Sequence, residues 1–134
     1  MAFPLDLQFV RRAEAALGRT LPSSYILKMC RENGGVAWYR EESFDLYPIL
    51  DTTDRKRLAR SCNDILRETA AERSYDPEFP ADAVAIGNNG GGNQLVFIPD
   101  TDGRNFADAV YRWDHETREL EKVADDFEEM LRQE

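Results

Sequence analysis

The sequence has few of the residues from which catalytic and metal sites are built. It contains one histidine, His115, and two cysteines, Cys30 and Cys62. A nucleophilic triad needs a base beside a serine or cysteine, and a structural zinc site needs four thiolate or imidazole ligands. His115 falls in a predicted turn, and both cysteines fall on predicted apolar helix faces, where free thiols are usually buried. We therefore expect no enzyme, no metal and no cofactor.

Long apolar runs and a basic leader are also missing. No apolar run approaches the roughly 20 residues that a membrane-spanning helix requires. Residues 1–6 carry an early acid and no basic start, unlike a secretion signal. The 134 residues, 42% of them hydrophobic, are enough to bury one core. These observations predict a cytoplasmic protein with a single domain spanning residues 1–134.

Positive charge is scarce in the second half of the chain. Residues 74–134 contain 15 acidic and 5 basic side chains, whereas residues 1–73 contain 11 acidic and 12 basic side chains. An acidic surface repels nucleic acid and anionic lipid, because both bind through cations. It attracts a basic protein and speeds the encounter, although it also serves solubility alone. Charge therefore favours a protein partner over nucleic acid or membrane.

Four of the chain's 8 glycines lie in residues 87–93, between the apolar runs 83–86 and 95–98. Glycine and asparagine tolerate positive φ, so this segment suits a tight turn between two strands. A glycine-rich turn also binds phosphate in nucleotide enzymes, which normally add a basic residue and a following helix. Here no lysine or arginine occurs between Arg73 and Arg104. We favour the structural turn and keep a nucleotide-binding enzyme as the less favoured alternative.

Hydrophobic periodicity predicts an α+β fold. Apolar residues at helical spacing indicate two N-terminal helices, one long central helix from Asp54 to Glu72, and a C-terminal helix that begins at 125–126. Six segments read as strands: 36–39, 43–47, 83–86, 95–98, 109–113 and 119–123. The expected architecture is a mixed or antiparallel sheet with the helices packed against it.

Several of these segments together resemble the SUKH superfamily. The resemblance rests on Leu21-Pro22-x-x-Tyr25, Asn33-Gly34-Gly35, the glycine-rich segment 87–93, and residues 110–116 followed by 123–131. Their order and spacing are similar from about Leu21 to Leu131. One departure is Asn93, where relatives often carry an aspartate.

The resemblance implies a single SUKH-like domain without catalytic residues. Fungal relatives regulate cell-wall synthesis and are linked to killer-toxin resistance. Many bacterial relatives are immunity proteins that bind and neutralise toxins, frequently nucleases. The motif positions would then be structural: Leu21, Pro22, Gly34, Gly35, Gly90, Gly91, Gly92 and Trp113.

Charge and resemblance together favour an immunity protein that covers a basic toxin domain with an acidic surface. The alternative is a regulatory or scaffold adaptor with no toxin partner. Trp38 and Tyr39 are candidate aromatic anchors, with ordinary core packing as their alternative role. The candidate acidic contacts are Glu41, Glu42, Asp76, Glu78, Asp100, Asp102 and Glu116. An exposed strand edge would also allow two copies of the chain to pair.

Overall fold

The computed structural model describes residues 2–132. Its helices are α1 (Leu7–Leu17), α2 (Ser23–Arg31), α3 (Arg55–Ser61) and α4 (Ile65–Tyr75), with a 3₁₀ turn at Phe127–Met130. Its strands are β1 (Val36–Tyr39), β2 (Glu42–Leu46), β3 (Val84–Asn88), β4 (Gln94–Phe97), β5 (Val110–Asp114) and β6 (Glu119–Ala124). The α+β class and the six predicted strands are confirmed.

The six strands form one sheet in which sequence order is also spatial order, β1 to β6. Every neighbouring pair is antiparallel, which decides between the two sheet types that the sequence left open. The sheet curls strongly. The hydroxyl of Tyr39 on β1 lies 3.4 Å from a carboxylate oxygen of Glu121 on β6, although four strands separate them in the sheet order.

Aromatic side chains cover both faces of the sheet. On one face, Tyr25 of α2 packs edge-on against Phe97 and Phe127, with ring centroids 5.2 Å apart in each pair. On the other face, Phe79, which follows α4, packs edge-on against Trp113 at 5.8 Å. Edge-to-face pairs of this kind add to the stability that apolar burial provides.

The prediction of one long central helix is wrong, because the structure has two separate helices there, α3 and α4. Asp64 caps α4, and its carboxylate accepts the backbone N–H groups of Leu66 and Arg67 at 2.8 and 3.1 Å. Ser61 ends α3, where its hydroxyl accepts the N–H of Asp51 at 2.8 Å. A capping aspartate in the middle of an otherwise helical pattern therefore starts a new helix.

The break also overturns the predicted burial of Cys62. Because α3 ends at Ser61 and α4 begins at Ile65, Cys62 lies in the short connection and is exposed, while Cys30 on α2 is partly buried. Leu58 on α3 is also exposed, at 43%.

The predicted C-terminal helix is a single 3₁₀ turn. Asp126 caps it by accepting the N–H of Glu128 at 2.9 Å, and Phe127 and Met130 are buried. Leu131 then adopts an extended conformation, so no second turn follows.

The helices within residues 2–132 are too short and too polar for any of them to cross a membrane.

The buried hydroxyl of Tyr25 yields a stability prediction. Tyr25 is fully buried, its hydroxyl has no hydrogen-bond partner among the described residues, and burial raises its pKa. An unpaired buried hydroxyl costs about 1–3 kcal/mol. We therefore expect Tyr25→Phe to raise the free energy of unfolding in urea by about 1 kcal/mol.

Tyr47→Phe is the matched control. Tyr47 is also buried, but its hydroxyl donates to Gln94 at 2.8 Å. Removing that hydrogen bond should lower the free energy of unfolding by about 1 kcal/mol. If Tyr25→Phe destabilises the protein as much as Tyr47→Phe, the Tyr25 hydroxyl has a partner.

Candidate interaction surface

Three hairpin turns lie at the same end of the sheet. In a sheet that follows sequence order, every second connection returns to the same end. The turns β1–β2 (40–41), β3–β4 (89–93) and β5–β6 (115–118) therefore share one end, here called the turn end. The β4–β5 connection, with Asp100 and Asp102, lies at the opposite end.

The turn end carries a surplus of acid. Among the residues that the structure describes, seven acidic side chains with exposed surface belong to it, beside the buried Asp76, against four arginines, Arg40, Arg112, Arg118 and Arg132. The seven, here called the acidic rim, are Glu41, Glu42, Glu78, Asp114, Glu116, Glu119 and Glu121. Glu42 and Asp114 are partly buried and the other five are exposed. The rim is thus a solvent-facing negative surface.

Glu42, on β2, joins its own strand to β5 and to the β3–β4 turn. One carboxylate oxygen accepts the Nε–H of Arg112 on β5 at 2.9 Å, and the other accepts the Asn89 side-chain N–H at 2.6 Å. The Asp114 carboxylate lies 3.6 Å from the Arg112 guanidinium, and Glu121 on β6 is the cross-strand neighbour of Arg112. Partial burial lowers the pKa of Arg112, but the hydrogen bond and charge of Glu42, with Asp114 and Glu121, raise it overall. The arginine therefore stays charged and holds the acids in place.

The glycine-rich turn satisfies its own backbone. Asn89 accepts the N–H groups of Gly91 and Asn93 at 2.8 and 3.1 Å, and Asn88 accepts that of Gly90 at 2.9 Å. Amides that would cradle a phosphate are thus bound to asparagine side chains. This geometry agrees with the structural interpretation of the turn.

Gly92 lets the β3–β4 turn pack against the β5–β6 turn. Its φ is +103°, and a Cβ there would lie 2.9 Å from the ring of His115. Asn93, nearly buried, accepts the His115 backbone N–H at 3.1 Å, and its oxygen lies 2.8 Å from His115 Nδ1. An amide oxygen serves here as an acceptor without adding charge. His115 is therefore held by the turn.

The predicted contact residues are distributed unequally. Glu41, Glu42, Glu78 and Glu116 belong to the acidic rim, whereas Asp100 and Asp102 are exposed at the opposite end. Asp76 is 6% exposed, and its carboxylate accepts from Arg118 at 3.3 Å. It therefore offers little surface to a partner.

Trp38 and Tyr39 are partly buried, and each ring lies beneath an arginine. Arg132 stands over Trp38 at 4.2 Å, and Arg40 stands over Tyr39 at 5.0 Å. Both rings keep some exposed surface beside the acidic rim.

Sequence reasoning missed Arg112, Asp114, Glu119 and Glu121 as members of this end. The predicted turn around His115, between two predicted strands, could have indicated them. The acidic residues on either side of that turn necessarily lie at the same end of the sheet. Asp114 also accepts the N–H groups of Glu116 and Thr117, and these bonds hold its pKa below the usual range. Within residues 2–132, no three His, Cys, Asp or Glu side chains are grouped to hold a metal ion.

A family model described as SMI1 / KNR4 family (SUKH-1) matches residues 4–133 of the chain. No curated protein and no solved structure matches the chain significantly.

The Glu42–Arg112 pair yields a prediction about stability. Glu42→Gln keeps the shape of the side chain but removes the charge that faces Arg112. We expect urea denaturation to show a loss of about 1 kcal/mol, the scale of a partly buried ion pair. Glu41→Gln, in the exposed part of the same turn, should change the free energy of unfolding by less than about 0.5 kcal/mol. Equal effects of the two changes would contradict this role for Glu42.

Glu72 on α4 yields a prediction about pH. Burial, and then the neighbouring carboxylate of Asp76, raise the pKa of Glu72. When a carboxyl group has a higher pKa in the folded state than in the unfolded state, the folded protein becomes less stable as pH rises through the folded-state pKa. Glu72→Gln should therefore stabilise the protein at neutral pH, and the gain should vanish below about pH 4, where the carboxyl group is protonated in both states.

Urea denaturation at several pH values tests this expectation. Glu116→Gln, an exposed change in the β5–β6 turn, should shift stability little at any pH. A Glu72→Gln variant that is less stable than the parent at neutral pH would show that the carboxylate makes a favourable contact instead.

Proposed function

Since the chain belongs to the SMI1/KNR4 family (SUKH-1), we propose that it is an immunity protein. It binds a basic toxin domain encoded nearby through the acidic rim, and it performs no chemistry itself. The observation that carries the proposal is the collection of seven acidic side chains at the end of the sheet where three turns meet.

The form of this end suits protein binding. Three turns from separate hairpins meet at this end, and side-chain hydrogen bonds link them. Asn89 connects the β3–β4 turn to Glu42, and Asn93 connects it to His115. A surface that is already ordered loses little conformational entropy on binding, which favours affinity.

The sign of the charge indicates the class of partner. A nuclease holds its substrate with cationic side chains, because phosphate contacts dominate affinity for nucleic acid. An acidic surface laid over those side chains would compete with the substrate. Complementary charge would also raise the association rate at low salt.

Two arginines of the turn end are paired with acidic side chains of the molecule itself, so they do not oppose the proposal. Arg112 and Arg118 each lie within 4 Å of two acidic side chains, so each is compensated within the molecule. The exposed acids Glu41 and Glu116 have no such internal partner among the hydrogen bonds and ion pairs of the described residues. These two, together with the exposed Glu119, which also has no such partner among the described residues, are therefore the rim members most available to a partner.

Binding of the purified toxin domain, measured by calorimetry, tests the proposal. The double variant Glu41→Gln with Glu116→Gln removes two rim charges without breaking an internal ion pair. We expect it to weaken binding by about tenfold, and we expect the parent to bind more weakly as salt rises from about 0.05 to about 0.5 M.

The double variant Asp100→Asn with Asp108→Asn is the matched control. It removes the same charge at the opposite end of the sheet, where both side chains are exposed. Its affinity should stay within about twofold of the parent. Equal loss in both variants would show that only net charge matters, and binding that is insensitive to salt would contradict an electrostatic interface.

A further inference from the structure

The outer edge of β1 is open to strand pairing around Val36, whereas the 3₁₀ turn and Arg132 flank the rest of it. β1 stands at the end of the sheet order, so within residues 2–132 no strand lies on its outer side. The amide of Leu46 donates to the carbonyl of Gly35 at 2.9 Å. Because facing pairs in an antiparallel ladder alternate, Ala37 and Tyr39 also bond inward to β2. The N–H and C=O groups of Val36 and Trp38 consequently point outward.

One contact lies just beyond β1. The carbonyl of Arg40, in the β1–β2 turn, accepts a hydrogen bond from the Arg132 guanidinium. That guanidinium also covers the Trp38 ring at 4.2 Å. Arg132 thus closes the edge near the turn end and leaves the part around Val36 open.

A groove runs beside the open part of this edge. It has a volume of about 940 Å³ and lies between β1, α2 and the segment that follows the 3₁₀ turn. Val36, which is 41% exposed, Trp38 and Leu131 give it an apolar component. An extended backbone would find unpaired donors and acceptors on one side and apolar side chains beside them.

The two edges of the sheet differ in their protection against pairing. β6 carries the exposed charged side chains Glu119, Glu121 and Lys122, and charged edges discourage pairing with other strands. The four residues of β1 include no charged side chain. Of the two edge strands, β1 therefore lacks the charged side chains that discourage pairing at β6.

The charges of the groove indicate the chemistry of its occupant. Lys28 and Glu32 pair with each other at 2.9 Å. Arg31 and Arg132 then remain against Glu128, so the described residues that line the groove carry one net positive charge on a protein of net charge −9. A second copy of the chain would bring the same arginines and a like overall charge. An extended segment that carries a carboxylate is complementary.

We propose that the edge of β1 binds an extended, apolar segment of a partner protein that carries an acidic side chain. The segment adds as a seventh strand, pairing with the backbone of Val36 and Trp38, and its carboxylate lies near Arg31 and Arg132. This surface has the opposite sign from the acidic rim, and the inference does not depend on an immunity role.

Fluorescence anisotropy with synthetic peptides tests the inference. The probe is a terminally blocked peptide of about six residues, the usual strand length, with alternating valine and threonine and one glutamate. One comparison peptide replaces the glutamate with lysine, and another carries N-methyl groups on alternate amides. We expect the glutamate peptide to bind, and lysine or N-methylation to weaken binding by about tenfold or more.

Two variants of the protein test whether the peptide binds at the edge of β1. Val36→Pro removes an outward N–H that β2 does not use, a change that edge strands accept, whereas Val36→Thr keeps the N–H. Binding should be lost in the first variant and kept in the second, with urea denaturation as the check on folding. If Val36→Pro does not fold, the N-methylated peptide still decides the question.

Three results would overturn the inference. The first is that no peptide binds to the parent protein. The second is that the N-methylated peptide binds as tightly as its parent, because strand pairing would then be excluded. The third is a concentration-dependent dimer in sedimentation that Val36→Pro abolishes, which would identify a second copy as the occupant.

Discussion

The curl of the antiparallel sheet is the feature on which the other properties of this molecule depend. It brings β2 close enough to β5 for Glu42 to bind Arg112 at 2.9 Å, and β1 close enough to β6 for Tyr39 to reach Glu121. In a flat sheet, strands are about 4.8 Å apart, so side chains on the first and last of six strands would be out of reach. The curl therefore draws acids from separate hairpins onto one surface.

The same curl separates two surfaces of different character. At the turn end the acids are held by hydrogen bonds from Arg112 and Asn89 to Glu42, so the rim is charged and ordered. Around Val36 the outer side of β1 is open, and the groove there has uncharged strand residues beside unpaired backbone groups. A partner that used both surfaces would need a basic patch and an acidic extended segment, a demanding combination that would give specificity.

Local sequence signals accounted for the strands but not for the breaks between elements. Alternating and apolar runs located all six strands, and the glycines and asparagines of 87–93 located a hairpin turn correctly. The central helix failed because its apolar spacing continues through Cys62, while the capping carboxylate of Asp64 decides the backbone. The C-terminal helix failed because helical periodicity over so few residues also fits one 3₁₀ turn.

The candidate site was predictable in sign but not in arrangement. The excess of acid after residue 73 is visible in the sequence, yet Asp76 is buried against Arg118, and Asp100 lies at the far end of the sheet. Arg112 and Glu42 are 70 residues apart, and only strand order and curl bring them together. Hydrogen exchange of backbone amides in the complex with the toxin domain bears on this arrangement without any substitution. The account predicts slower exchange at 40–42, 89–93 and 115–118, with no change at 100–105. Protection confined to 100–105, or spread evenly over the chain, would contradict it.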